Sequence, residues 1–290
     1  MKTRGNLFFF ISCGTILALL GGFVGVFNPA GAASEAKKMN LDTWQEERPF
    51  AQRSSLDNTD ASSLEPNCRP NQISYWKLDE TGPPNYVDSQ DGRDATCTGA
   101  ECPEPYAAGK YDGAQDFDGL DDRLATANSY NPTTGITAMA WIKPDTLVGL
   151  DKGIFYKDGV VYLELESDFN FSVDFSVIVN GRLLEYESQD SRVPIDQWTH
   201  IAGTYDGREL KVYMNGVRIP GSVIRVGSID NKNKPYYIGY SFKETENRYF
   251  DGKIDEVAIF NRALSEVEIA RIYVNCTFRS MMPLVIEAPP

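Results

Sequence analysis

The run from Tyr249 to Tyr273 constrains the fold more than any other part of the chain, because a strand pattern passes directly into a helix start signal. Residues 252 to 260 alternate between two faces, as a half-buried strand does. Ser265 and Glu268 have the spacing of a capping box, in which two side chains satisfy free amides at a helix start. The run therefore predicts a strand followed by one short helix.

Asp255 is the unusual residue of this strand. Strict alternation places it on the same face as Val257 and Ile259. A carboxylate that leaves water requires a hydrogen-bond donor, a cation or a metal ion to offset its lost hydration. Asp255 is therefore predicted to have such a partner.

Short strands joined by tight turns are the pattern of the preceding residues. Residues 171 to 179 alternate apolar and polar, which is typical of an antiparallel strand with one buried face. Three dipeptides with the backbone freedom for tight turns separate strand-like runs: Asn180-Gly181, Asp206-Gly207 and Asn215-Gly216. The pattern predicts an all-β protein, an antiparallel two-sheet sandwich with one short C-terminal helix.

Seven motifs occur in a fixed order between about residues 73 and 273. They lie at residues 76–80 (WKLDE), 117–119 (FDG), 140–144 (AWIKP), 198–202 (WTHIA), 204–207 (TYDG), 212–216 (VYMNG) and 252–269. In this order they resemble the laminin-G-like (LamG) jelly-roll domains of the concanavalin A-like lectin/glucanase superfamily. The resemblance implies a jelly-roll sandwich, and it carries little information on any one ligand.

The resemblance also implies a structural calcium ion, because related jelly rolls hold one with an aspartate of the closing strand. Calcium prefers six to eight oxygen ligands. Asp255 is the best matching ligand, followed by Asp79, and then by Asp118 or Asp88. The alternative is that Asp255 accepts hydrogen bonds from turn amides or pairs with Arg262, and that Asp118 only shapes a turn.

Catalysis has weak support in the sequence. Glu164 and Glu166 are two residues apart and share a face of one strand, as the acids of related glycoside hydrolases do. Leu165 stands where the glucanase pattern has a further acid, and two glutamates on the solvent side of a strand are the simpler interpretation. His200 is the one histidine, so a catalytic triad has no support. We predict a protein that is not an enzyme.

The N-terminus has the features of an export signal. Lys2 and Arg4 precede an almost wholly apolar run at residues 7–27, and Ala30-Gly31-Ala32 is a small-residue cleavage site. The apolar run is also long enough to remain as a membrane anchor. The predicted organisation is a signal peptide or uncleaved anchor (1–32), a polar flexible linker (33–66), the LamG-like domain (67–278) and a C-terminal tail (279–290).

Four cysteines outside the signal segment predict disulfides in an exported domain. Three pairings are possible, and the spacing favours Cys97 with Cys102 and Cys68 with Cys276. Free thiols are the alternative.

The net charge of −13 argues against nucleic acid as a partner, since phosphate backbones are bound by basic surfaces. We predict a non-catalytic extracellular recognition module whose partner is a glycan or an extracellular protein surface. The expected contacts are sandwich-rim loops, with residues 151–159, 186–192 and 240–248 as candidates. The alternative is a membrane-tethered structural or adhesion protein of the cell envelope.

Overall fold

Two large antiparallel sheets pack face to face, and one helix lies on the outside of the larger sheet. The computed structural model describes residues 72–90, 92–126 and 130–279. The predicted all-β jelly-roll sandwich with a C-terminal helix is confirmed.

The larger sheet has nine strands. They are β1 (Ser74–Trp76), β4 (Glu104–Tyr106), β5 (Ala114–Asp118), β7 (Ile136–Pro144), β12 (Thr199–Tyr205), β13 (Glu209–Met214), β14 (Val217–Arg218), β15 (Val223–Ile224) and β19 (Asp251–Phe260). The sheet runs in the order β14-β13-β12-β7-β19-β5-β4, with β1 paired to β19 and β15 paired to β13. The closing strand β19 is therefore central and joins β1, β5 and β7.

The smaller sheet has eight strands and an adjoining hairpin. The strands are β2 (Asn85–Tyr86), β3 (Ala95–Thr96), β6 (Leu124–Thr126), β8 (Lys152–Lys157), β9 (Val161–Glu166), β10 (Ser172–Val179), β11 (Arg182–Arg192) and β16 (Tyr237–Ile238). Their order is β11-β10-β9-β8-β16-β6-β3-β2. Strands β17 (Tyr240–Lys243) and β18 (Glu246–Tyr249) form a separate two-stranded hairpin, called here the covering hairpin, which contacts β8.

Two of the three predicted dipeptides form the expected two-residue turns. Asp206-Gly207 lies instead in a three-residue connection from β12 to β13, in which Asp206 lacks a positive φ. Asn180 and Gly181, with φ of 52° and 72°, connect β10 to β11. Asn215 and Gly216, with φ of 50° and 78°, connect β13 to β14. Positive φ at both turn residues matches the twist of the paired strands, and Asn-Gly adopts it readily, so this dipeptide predicts a hairpin turn.

A β-bulge in β19 corrects the predicted side of Asp255. Asp255 pairs with Trp141, but the next pair on these two strands is Ala258 with Met139, so β19 holds one extra residue there. Glu256 takes a left-handed φ of 58° at this point. The extra residue reverses the alternation, so Val257 and Ile259 face the core between the sheets while Asp255 lies on the outer face. The prediction that the three residues share a face was wrong.

Strand β10 is buried on both faces, which corrects the second alternation argument. Its apolar residues face the core between the sheets, as predicted. The polar residues of its other face, Ser172, Asp174 and Ser176, are also fully buried instead of exposed to solvent. Periodicity identified the two faces, but it could not show that a second layer covers the polar one.

Helix α1 (Glu266–Arg279) begins where the capping box predicted. The backbone amide of Ser265 donates to Glu268 Oε2 at 2.8 Å, and the Glu268 amide donates to Ser265 Oγ at 3.3 Å. Arg262 makes two hydrogen bonds to the same carboxylate, at 2.7 and 3.0 Å. Arg262 is thereby occupied with Glu268, so the pairing with Asp255 that the sequence left open is not formed.

The sheet edges are short or interrupted, with one exception. β14 and β15 have two residues each and end one side of the larger sheet, while β4 on its other side contains Pro105. β2, at one edge of the smaller sheet, also has two residues. β11, at the opposite edge, has eleven, and its regular pairing with β10 covers residues 182–187 before an irregularity.

A disulfide joins Cys97 to Cys102, as predicted. Cys68 and the side chain of Cys276 lie outside the described residues, so their pairing stays a prediction. The proposed signal (1–32), linker (33–66) and tail beyond Arg279 also lie outside them. The described part of the chain contains no helix long and apolar enough to cross a membrane.

Candidate functional site

Five tyrosines come together on the outer face of the smaller sheet. They are contributed by β8, β9, β16 and the covering hairpin, and form what we call the tyrosine surface: Tyr156, Tyr162, Tyr237, Tyr240 and Tyr249. Neighbouring ring centroids are 5.0 to 6.0 Å apart. Alternation explains the arrangement, since Phe155, Leu163 and Ile238 face the core while the adjacent tyrosines face outward.

The rings of the tyrosine surface are held by polar contacts. The Tyr240 hydroxyl donates to Asn247 Oδ1 at 2.9 Å. The Arg123 guanidinium lies 5.4 Å from the centroid of the Tyr240 ring and is itself fixed by an ion pair with Glu101 at 2.6 Å. Tyr237 and Tyr249 are partly exposed. The surface is therefore a preformed aromatic platform with hydrogen-bonding groups around it.

A group of five carboxylates lies beside the tyrosines on the same sheet. This buried acid cluster consists of Asp151, Glu164, Glu166, Asp174 and Glu185. Glu164 and Asp174 are fully buried. The cluster lies on the polar face of β9, β10 and β11 and extends to Asp151, which precedes β8.

The covering hairpin closes over this cluster. Ser241 Oγ donates to Glu164 Oε1, and Lys243 Nζ pairs with Glu185 Oε1. Arg248 Nη1 lies 2.5 Å from Asp151 Oδ2 and 3.4 Å from Glu164 Oε2. Gly153 permits the close approach, because a Cβ there would lie 2.3 Å from the Ser241 backbone nitrogen.

The hairpin also corrects the placement of the predicted glutamate pair. Glu164 and Glu166 share a face, as predicted, but they are 0% and 8% exposed and do not lie on the solvent side of an ordinary strand. The Glu164 carboxylate is engaged by Ser241 and Arg248. Such a covered pair differs from the accessible carboxylates that glycoside hydrolysis requires.

Burial dominates the electrostatics of the cluster. It raises the pKa of Glu164, and it raises that of Asp174 well above its usual value, with further repulsion from Glu164 and Glu185. The pKa of Glu166 is raised to about 7, first by burial and then by Asp151. Burial alone would raise the pKa of Asp151 too, but hydrogen bonds from Ser167 and the charge of Arg248 lower it. Without a further cation, burial therefore favours the protonated form of Glu164, Glu166 and Asp174, while Asp151 favours the charged form.

Asp255 occupies a different place, on the outer face of the larger sheet. Its Oδ2 accepts a hydrogen bond from the Tyr111 amide at 3.0 Å, so the turn-amide interpretation is correct for one oxygen. Its Oδ1 is buried, and no donor among the described residues meets ordinary hydrogen-bond geometry with it, although the Lys110 amide is close enough to Asp255 to lower its pKa. The pKa of Asp255 is raised to about 9, first by burial and then by Glu256, with a further contribution from Asp79.

The structure brings Asp79 close to Asp255, but not Asp118. Asp79 Oδ1 accepts from the Gly113 amide at 2.9 Å, two residues after the Tyr111 that contacts Asp255. Asp118 lies at the far end of β5, roughly 13 Å along the strand from Ala114. Its Oδ1 accepts from the Leu120 amide, which shapes a turn.

Asp88, the remaining calcium candidate, accepts hydrogen bonds from the amides of Tyr75 and Gln90 at 2.8 and 3.0 Å. Those contacts occupy Oδ1 alone.

The candidate rim loops are largely not loops. Residues 151–159 contain all of β8, and residues 186–192 belong to β11. Residues 240–248 form the covering hairpin, which lies on the sheet face instead of the rim. Sequence reasoning also missed Asp174, Glu185, Lys243 and Arg248. The sequence signal that could have indicated this cluster is Asp174, an acid at the centre of the polar face of β10.

Comparison with known proteins gives the family. Residues 117–270 match a laminin G family model described as the concanavalin A-like lectin/glucanases superfamily. The chain belongs to the concanavalin A-like lectin/glucanase superfamily. Mouse pappalysin-1 is 38% identical to it over 77 residues, which cover 25% of this chain and 5% of pappalysin-1. The matched part is thus a small fraction of that much longer relative.

Several solved structures share this fold at low sequence identity. Domain 4 of AbnA, an extracellular arabinanase of Geobacillus stearothermophilus, was solved with arabinotriose and is 20% identical, with a TM-score of 0.51 over 70% of this chain and 98% of that one. The binding domain of Paraclostridial Mosquitocidal Protein 1 has a TM-score of 0.55 at 15% identity, over 70% of this chain and 52% of that one. The binding domain of botulinum neurotoxin serotype G has a TM-score of 0.52 at 16% identity, over 70% of this chain and 51% of that one. These likenesses show the fold alone.

Proposed function

We propose that this protein is a non-catalytic extracellular recognition module that binds carbohydrate through the tyrosine surface. The observation that carries the proposal is the set of five neighbouring rings, of which Tyr237 and Tyr249 are partly exposed. Aromatic faces carry partial negative charge and pack against the polarised C–H groups of sugar rings. Arg123 and Asn247 stand at the edge of the surface, where sugar hydroxyls would meet donors and acceptors.

Two further observations favour carbohydrate over a protein surface. The partly exposed rings are few and are flanked by polar groups, which suits a small polar ligand better than the apolar centre of a protein interface. A domain with a similar fold was solved in complex with arabinotriose, so sugar oligomers are a reasonable first ligand class. The covered state of Glu164 and Glu166 supports the non-catalytic part of the proposal.

Binding is tested with the full chain on a glycan array, followed by titration calorimetry with the best glycan and with arabinotriose. We expect Tyr249→Ala and Tyr237→Ala each to weaken binding about 5-fold, since one aromatic contact contributes roughly 1 kcal/mol. Tyr106→Ala is the matched control, because Tyr106 is a partly exposed tyrosine on the larger sheet. Binding that survives both tyrosine variants, or that responds only to a protein partner, contradicts the proposal.

The extracellular location is part of the same proposal. Its support is the predicted signal segment of residues 1–32 and the Cys97–Cys102 disulfide, which suits an oxidising compartment. The runner-up is an envelope protein that keeps residues 7–27 as an anchor. Fractionation of cells that express the full chain separates these two forms.

We also propose a structural calcium ion held by Asp255 and Asp79. The support is the buried Asp255 Oδ1 that lacks a hydrogen-bond partner among the described residues, with a second carboxylate nearby. A bound ion would neutralise the buried charge and join β19 to the segments that flank β1 and β5. After metal ions are removed with a chelator, the full chain carrying Asp255→Asn is expected to bind one calcium ion fewer than wild type, as measured by calorimetry. An unchanged stoichiometry contradicts this assignment.

A further inference from the structure

We propose that Glu166, Asp174 and Glu185 form a second divalent-cation site, beneath the covering hairpin. Their carboxylate oxygens lie within 4.8 Å of one another. Oxygens at such separations can surround one ion at calcium–oxygen distances of about 2.3–2.6 Å. The site is on the opposite sheet from Asp255 and shares no residue with it.

Strand pairing builds this arrangement. Asp174 lies in the central strand β10, where Ser172 pairs with Glu166 of β9 and Ser176 pairs with Glu185 of β11. The two glutamates are therefore diagonal neighbours of Asp174, one on each side, and both reach toward it across the sheet face. The geometry depends on three adjacent strands and not on a flexible loop.

Asp174 is the residue that points to a ligand. It is fully buried, and neither of its oxygens has a hydrogen-bond partner among the described residues. The hydroxyl oxygens of Ser172 and Ser176, on the same face of the same strand, are likewise buried without such a partner. Buried polar atoms are nearly always paired, so this group of unpaired oxygens fits an ion that the protein atoms surround.

The donor set selects the class of ion. Three carboxylates are hard oxygen ligands, which suit calcium, magnesium or manganese and not the metals that prefer sulfur or imidazole. Five acids face two cations, and Arg248 is occupied with Asp151 and Glu164. Lys243 pairs with Oε1 of Glu185. The competing explanation is that the ammonium of Lys243 serves as the counter-ion of the whole group.

The experiment titrates the chelated full chain with calcium alone, by calorimetry and by terbium luminescence. We expect Asp174→Asn to weaken one binding event at least 100-fold, and Asp255→Asn to leave that event unchanged. Asparagine keeps the shape of Asp174 and removes its charge, so the variant is expected to fold, which circular dichroism checks. Asp206→Asn, at the exposed connection between β12 and β13, is the matched control and should bind as wild type.

Lys243→Met distinguishes the two explanations. If the cation site exists, the wild-type chain binds calcium here and the variant binds it more tightly, because a competing positive charge has been removed. Calcium binding by Lys243→Met alone, with none by the wild type, overturns the proposal in favour of Lys243 as the counter-ion. Binding that Asp174→Asn leaves unchanged also overturns it.

Discussion

Arg248→Met is expected to lower the free energy of unfolding by about 3–5 kcal/mol at pH 7, because removing one partner of a buried ion pair leaves the other charge uncompensated. Arg248 is 9% exposed in its side chain, and its partners Asp151 and Glu164 are 5% and 0% exposed. Methionine retains much of the side-chain volume but supplies no charge. Urea unfolding in the presence of a chelator measures the loss without a contribution from bound ions.

Two variants make that result specific to the ion pairs. Arg208→Met removes an exposed arginine and is expected to change stability by less than about 0.5 kcal/mol. The double variant Arg248→Met/Glu164→Gln should be more stable than Arg248→Met, since the amide carries no charge to bury. A loss below about 1 kcal/mol for Arg248→Met would show that water reaches the cluster and compensates Glu164.

Gly153→Ala is expected to displace the covering hairpin and to cost about 2–3 kcal/mol, in the range of over-packed sites. An added Cβ would lie 2.3 Å from the Ser241 nitrogen and 2.5 Å from the Tyr240 carbonyl carbon. Both are backbone atoms, so a rotamer change cannot relieve the overlap. We expect trypsin to cleave after Lys243 or Arg248 at least about 10-fold faster than in wild type.

Gly82→Ala is the control for this substitution, because no atom lies within 4 Å of the added methyl group. It should change neither stability nor cleavage. A Gly153→Ala chain that keeps both its wild-type stability and its resistance to trypsin would show that the hairpin is not held by close packing at Gly153.

Local sequence signals predicted the framework well. The Asn-Gly turns, the capping box of Ser265 and Glu268 and the apolar face of β10 are each determined by residues close in the chain. The ordered motifs then identified the jelly roll, which the match over residues 117–270 confirms. These features depend on backbone preference and periodicity, which a single sequence displays.

The site was harder to predict, because its chemistry depends on tertiary contacts between elements that are distant in the sequence. Asp174 lies on the polar face of β10, as simple alternation predicts. The sequence near it does not indicate that a hairpin at Ser241, some 70 residues later, buries its neighbour Glu164. The bulge at Glu256 is similar, since one extra residue reverses the faces without a distinct sequence signal. Asp255 was correctly identified as a buried acid, but its side of the sheet was not.

The short edges of the two sheets bear on how this protein behaves at high concentration. Unpaired strand edges are templates for pairing with another molecule, and short strands or a proline reduce that tendency. β14, β15 and β2 are too brief to template a partner, and Pro105 removes a backbone donor from β4. If chains of this protein associate through their backbones, the regularly paired part of β11, residues 182–187, is the edge with the length to do so.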